Sequence, residues 1–192
     1  MTIHAMIDID DVLFPWADLI HDRSRVAGLH DIETYTTWHM WEDYGCSKEA
    51  WLEVVDKATV DGMYHEPPMP GAVEALRRLV FERDVAIHLV TARGFMAHAE
   101  SIREWTADWV EEYAVPHVDL TFAKDKVASQ VALGVRFDYA LDDGLHNFTA
   151  LDADGVDTYL MTRPHNVSAP VWAASRVSSV DEFVDIILKE SA

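Results

Sequence analysis

One cysteine, Cys46, stands in 192 residues. A single thiol excludes an internal disulfide framework and any cysteine-rich zinc site. Basic side chains are scarce too: 15 lysines and arginines face 34 aspartates and glutamates, a formal net charge of −19. Such a chain is repelled by nucleic-acid backbones and anionic membranes, so neither a nucleic-acid polymer nor a membrane is an expected partner. A phosphate-bearing ligand would need a local cation, most simply a bound metal. The ten histidines hold no His-x-His and no His-Glu-x-x-His, so a histidine-built metal site is not expected. No apolar run reaches about 18 residues and no leader-like segment opens the chain, which predicts a cytoplasmic protein. Without a secretory route, the glycosylation-like triplets Asn147-Phe148-Thr149 and Asn166-Val167-Ser168 carry little weight.

What is present is an ordinary globular composition, 49% hydrophobic and 26% charged, long enough for one cored domain with an insertion. The most informative run is Met6-Ile7-Asp8-Ile9-Asp10-Asp11-Val12-Leu13. Residues 3–7 before it read as a short buried strand. Asp8 and Asp10, two apart, point to the same side of an extended backbone. Like charges gathered at the mouth of a sheet imply a divalent cation or a shared proton. In open α/β sheets ligands bind at that end of the strands. A solvated strand-to-loop turn would also carry aspartates, so this pair alone does not decide.

Strand-like segments recur at 85–90, 118–122, 137–141 and 156–161. Helix-like segments lie at 71–83, with apolar positions 73, 76, 79 and 80, and at 97–113, 125–133 and 180–189. The alternation predicts a doubly wound α/β fold, a parallel sheet covered on both faces. Between the first two strands, about 70 residues hold no convincing strand and at least two helical stretches, 17–27 and 48–59. A crossover needs far fewer. The surplus predicts a small helical cap at 15–70 inserted into a core of 1–14 and 71–192, closed by the stiff segment Glu66-Pro67-Pro68-Met69-Pro70-Gly71.

Further chemistry sits where strands end. Thr91-Ala92-Arg93 follows the second strand, and Thr91 there is either a ligand contact or a helix cap. Lys124-Asp125-Lys126 follows the third, where lysines are commonly solvated. A second acidic pair, Asp142-Asp143, ends the fourth; its recurrence is hard to ascribe to accident.

The order Asp8-x-Asp10-x-Val12, Thr91, Lys126, Asp142-Asp143 resembles the four motifs of the haloacid dehalogenase-like (HAD) phosphohydrolases. More narrowly, the chain resembles the 5′(3′)-deoxyribonucleotidases. That match rests on Trp38-x-x-Trp41-x-x-Tyr44-Gly45, the segment from Glu66 to Ala75, Trp109-Val110-Glu111-Glu112-Tyr113 and Asp142-Asp143-x-x-x-Asn147. The resemblance implies a Rossmann-like core and a role for each matched residue. Asp8 would be the nucleophile and Asp10 the general acid, then base. Asp8, the backbone carbonyl of Asp10 and Asp143, with Asp142 close by, would hold Mg²⁺. Thr91 and Lys126 would bind the phosphoryl group. Asp11 stands where glycine is common, and Ala92 where the deoxyribonucleotidases carry serine, so Arg93 becomes a candidate phosphate contact. A lysine of those enzymes on the helix after the second motif has Arg103 as its nearest counterpart.

Substrate selection is expected of the aromatics in or near the cap. Trp38 and Trp41 sit in a polar stretch that suits a cleft, where stacking on a nucleobase contributes roughly 1–3 kcal/mol. Phe14 and Trp16 leave the sheet just after the nucleophile, so at least one should overlook the site. Trp51 and Tyr64 fit the cap's own core. The expected substrate is a nucleoside 5′-monophosphate, with pyrimidine deoxynucleotides preferred, and the family allows a homodimer. A sugar-phosphate phosphatase, a non-catalytic nucleotide-binding relative and a receiver-like signalling module are the rivals. The receiver fits least, because its acceptor aspartate lies mid-chain and it has no cap.

Overall fold

Ile3–Ile7 forms β1, and its last three residues, Ala5, Met6 and Ile7, are fully buried, as a strand covered on both faces requires. The computed structural model describes residues 2–95 and 97–190. On one side β1 pairs in parallel with β2 (Val85–Thr91), Ile7 opposite Leu89, and β2 pairs with the edge strand β3 (Asp119–Phe122). On the other side β1 pairs with β4 (Tyr139–Asp142), Ile7 opposite Leu141. β5 (Asp157–Met161) and the two-residue β6 (Arg176–Val177) complete the sheet. The order is β3-β2-β1-β4-β5-β6, all parallel. The chain therefore winds outward from β1 in one direction and resumes at β4 in the other. This reversal opens a crevice at the carboxyl ends of β1 and β4.

Alternation along the strands builds a core on each face. Met6, Val90 and Ala140 pack with Phe137, Leu151 and Val156. Ile7, Leu89 and Leu141 join the larger cluster with Phe183, Val184 and Ile187.

Between β1 and the next core helix run α1 (Trp16–Val26), α2 (Met40–Tyr44) and α3 (Lys48–Val60), with no strand among the described residues. Ser47 starts α3 by accepting the Ala50 N–H at 3.1 Å. The proline-rich return is tied down where Met69 N–H donates to Leu13 O at 2.7 Å and Trp109 Nε1 to Glu66 O at 2.9 Å. The remaining helices are α4 (Ala72–Glu82), α5 (Ala99–Glu112), α6 (Lys126–Leu133), α7 (Leu145–Ala153) and α8 (Val180–Glu190). Residues 1, 191 and 192, at the ends of the expected core, lie outside the described residues. One periodicity expectation is corrected: α4 buries Val73, Leu76 and Leu79, but Val80 is 39% exposed. At 100° per residue Val80 still falls between Val73 and Leu76, so its exposure marks the end of the buried stripe at the last turn of α4.

Candidate active site

The backbone after β1 is bent to present its carboxylates. Asp8 N–H donates to Leu141 O, binding the end of β1 to β4, and both Leu13 and Phe14 N–H groups return to Ile9 O. The turn places Asp11 at φ 56°, the left-handed conformation that glycine usually supplies and aspartate tolerates. Its Oδ1 accepts the Ala17 N–H at 2.9 Å, at the start of α1.

At the end of β4, Asp142 is fully buried and accepts from Gly144 N–H at 2.8 Å and Asn147 Nδ2 at 3.0 Å. A Cβ on Gly144 would lie 3.0 Å from Asp142 Oδ1, so the close approach favours glycine. Asp143 Oδ2 lies 3.0 Å from His165 Nε2, and Asp143 O accepts from Asn166 Nδ2 at 2.8 Å. Asp125 caps α6 by accepting from Ala128 N–H, so Lys126 enters from the helix's first turn. Its Nζ lies 2.7 Å from Asp8 Oδ1 and 3.9 Å from Asp142 Oδ2, and also donates to Val90 O.

One ammonium does not balance this acidic group. Burial pushes the Asp8 carboxyl up to about 7 against the pull of Lys126, and Asp142 and Asp10 add to the rise. Burial also raises Asp143 well above the usual carboxylate range, with Asp142 and Asp8 reinforcing it. Burial alone would lower the Lys126 ammonium, but Asp8 and Asp142 beside it hold it raised. Oxygens of Asp8, Asp142 and Asp143 all lie within 4.8 Å of one another. A buried, oxygen-only donor set with excess negative charge fits a hard divalent cation such as Mg²⁺.

The other expected residues divide. Ala92, Trp16, Trp38 and Trp41 line a cleft of about 580 Å³ together with Asp8, Asp10, Lys126 and Asp143. Trp38 is 53% exposed, its ring 5.0 Å from His165 and 5.8 Å from His146. Trp41 is half-buried against Trp51 at 5.2 Å, with Lys48 over its face. Trp51 and Tyr64 are buried as expected, though both still reach the cleft wall. Thr91 is fully buried, and its Oγ1 accepts the Arg93 N–H at 3.2 Å.

Two expectations are corrected. Phe14 does not overlook the cleft: it is fully buried, stacked on Tyr64 and edge-on to Trp109. Arg93 lines the cleft too, but its guanidinium is turned onto Asp10 rather than outward, and the side chain is 1% exposed. Arg103 donates to Gly94 O at 3.2 Å and does not line the cleft.

His165 was not singled out from sequence, and Asn166 was met there only in a glycosylation-like triplet. They sit in a short 3₁₀ turn, Pro164–Asn166, after β5, where no periodicity marks them. Both glycosylation-like asparagines are internal partners: Asn147 holds Asp142, and Asn166, 3% exposed, holds Asp143 O and Met161 O. A larger cavity, about 710 Å³, runs along Pro67–Ala72 and contains none of the acidic pairs.

Comparison with known families gives a match over residues 5–192 to the family described as 5′ nucleotidase, deoxy (Pyrimidine), cytosolic type C protein. A comparison with curated proteins gives no match. Among solved structures, a haloacid dehalogenase-like hydrolase from Streptococcus pneumoniae superposes with a TM-score of 0.66 at 10% identity, covering 97% of this chain and 98% of that one. A candidate beta-phosphoglucomutase from Thermotoga maritima gives 0.61 at 16% identity, covering both chains completely. A haloacid dehalogenase-like hydrolase from Xanthomonas campestris gives 0.59 at 14%, covering 99% and 97%. At these identities the likeness carries the fold.

Proposed function

The chain belongs to the cytosolic type C 5′-nucleotidase family of HAD-type phosphatases, and from that premise we propose that it hydrolyses nucleoside 5′-monophosphates, pyrimidine deoxynucleotides foremost, through a phosphoryl-aspartate. The observation that carries this reading is the convergence of Asp8, Asp142 and Asp143 oxygens within 4.8 Å, with the Lys126 ammonium 2.7 Å from Asp8.

Phosphate-monoester hydrolysis is among the slowest uncatalysed reactions, calling for accelerations up to about 10²¹. Most of that must come from positioning and charge neutralisation. Asp8, the Asp10 carbonyl and Asp143, with Asp142 beside them, would hold Mg²⁺, which supplies positive charge to the phosphoryl oxygens and keeps Asp8 ionised. Lys126 adds a second cation buried against the nucleophile. Thr91 Oγ1, at the carboxyl end of β2, accepts the Arg93 N–H and its hydroxyl would donate to the phosphoryl group, next to Ala92 at the cleft wall.

In the first step an Asp8 oxygen bonds to phosphorus, the ester P–O bond breaks, and Asp10 hands its proton to the departing 5′ oxygen. In the second, Asp10 as carboxylate takes a proton from water as that water attacks phosphorus, and Asp8 leaves as carboxylate. Residues 15–70 act as the cap over the 1–14 and 71–192 core, with Trp38 and Trp41 as the base-stacking wall. A cytoplasmic site of action accords with the family's description as cytosolic.

The test is a substrate panel of ribo- and deoxyribonucleoside monophosphates, sugar phosphates and p-nitrophenyl phosphate, with and without chelator. Chelator-sensitive phosphate release, fastest with pyrimidine deoxynucleotides, is expected. Faster release from a sugar phosphate would move the substrate assignment there. Release untouched by chelator would overturn the metal-dependent mechanism.

A further inference from the structure

Arg93 is engaged with Asp10 through one carboxylate oxygen. Its Nη2 and Nε both donate to Asp10 Oδ1, at 2.6 and 2.9 Å. Arginine and carboxylate commonly meet as two parallel bonds that use both oxygens; here both bonds converge on Oδ1. The Asp10 side chain is 28% exposed and lines the cleft, so Oδ2 is the oxygen left for chemistry. The guanidinium itself has no freedom to leave. It lies over Phe14 at 4.4 Å and Tyr64 at 4.8 Å, with Trp109 at 5.9 Å. Nη1 donates to Thr106 Oγ1 at 3.3 Å, and that hydroxyl is fixed by its bond to Ile102 O. Swinging the arginine toward a phosphate would empty this aromatic cage and strip a buried cation of its partners.

We propose that Arg93 is a positioning residue: caged by Phe14, Tyr64 and Trp109, it holds Asp10 in the one rotamer that presents Oδ2 to the leaving oxygen. An unrestrained aspartate would divide its time among staggered χ1 wells, and proton transfer requires hydrogen-bond reach. The inference rests on the proposed role of Asp10 as general acid. It also explains why Phe14 is buried rather than at the cleft surface: its ring is a wall of the arginine cage.

The experiment compares kcat/KM for a nucleoside 5′-monophosphate, whose alkoxide needs a proton to leave, with p-nitrophenyl phosphate, whose phenolate does not. This parameter reports phosphoryl transfer to the enzyme rather than the later hydrolysis. Arg93→Ala should lose about 10²-fold or more on the nucleotide, far less on the aryl ester, and recover nucleotide activity when guanidinium ion is added. Arg93→Lys, which keeps charge and most of the bulk, should fall between, and Asp10→Ala should repeat the Arg93→Ala pattern. Equal losses on both esters, with weakened inhibition by inorganic phosphate, would make Arg93 a phosphate ligand and overturn the inference. If Asp8→Asn retained activity on either ester, the aspartate-based reading itself would fall, a result separable from any Arg93 pattern.

Discussion

The Lys126 ammonium lies 2.7 Å from the Asp8 carboxylate across 118 residues of chain, with the two side chains 1% and 10% exposed. Removing the ammonium leaves the buried Asp8 carboxylate without it, whereas removing Asp8 still leaves Lys126 3.9 Å from Asp142. Lys126→Met should therefore destabilise the cation-free protein by about 3 kcal/mol or more near neutral pH. The loss should shrink in acid, where the carboxyls take up protons instead. Urea denaturation at two pH values measures it. Lys126→Arg should not restore the loss, since a planar fork does not fit the space of a compact ammonium.

Asp8→Asn should lower kcat by about 10³-fold or more while leaving the cation-free fold at least as stable. The substitution removes one of several buried negative charges near Asp142 and Asp10. Steady-state kinetics beside a thermal melt separates the two effects.

A divalent cation should stabilise the protein more at alkaline than at acid pH. Asp8 is raised from 3.8 to about 7 and Asp143 is raised well above 3.8. In the folded protein these carboxyls keep protons that the unfolded chain gives up, so stability declines as pH climbs toward about 7. Cation binding relieves that decline. The rise in Tm on adding Mg²⁺ should be larger at about pH 8 than at about pH 5.5; an equal rise at both would contradict the assignment of these carboxylates as ligands.

The strand-end chemistry was legible because each piece is local. A strand that is buried on both faces must be apolar, and Asp8, Asp142, Asp143 and Lys126 each follow such a run or open the next helix. Other features carried no periodic signal. α7 buries only Leu151, so it shows no apolar stripe, and α2 and β6 are too short to show one. The partners of the site depend on tertiary register. His165 reaches Asp143 from an irregular turn after β5, and Arg93 meets Asp10 only because β1 and β2 are neighbours. Phe14 follows an active-site loop in sequence, yet the turn back to Ile9 O folds its ring inward.

Trp38 and Trp41 differ in exposure, and their variants should differ accordingly. Trp38→Ala removes a half-exposed ring above His165 and His146 and should raise KM for nucleotides by about 10-fold, the worth of one stacked base. It should leave p-nitrophenyl phosphate nearly unchanged. Trp41→Ala also loosens the contact with Trp51, so it should lower Tm besides raising KM. Kinetics on both esters with melts of both variants checks the pair.

The most direct measurement is a rapid acid quench during turnover, with the trapped protein weighed intact and its peptides mapped. One added phosphoryl group located on Asp8, and none in Asp8→Asn, is the predicted result. Turnover without any labelled protein, or a label on another residue, would contradict the account.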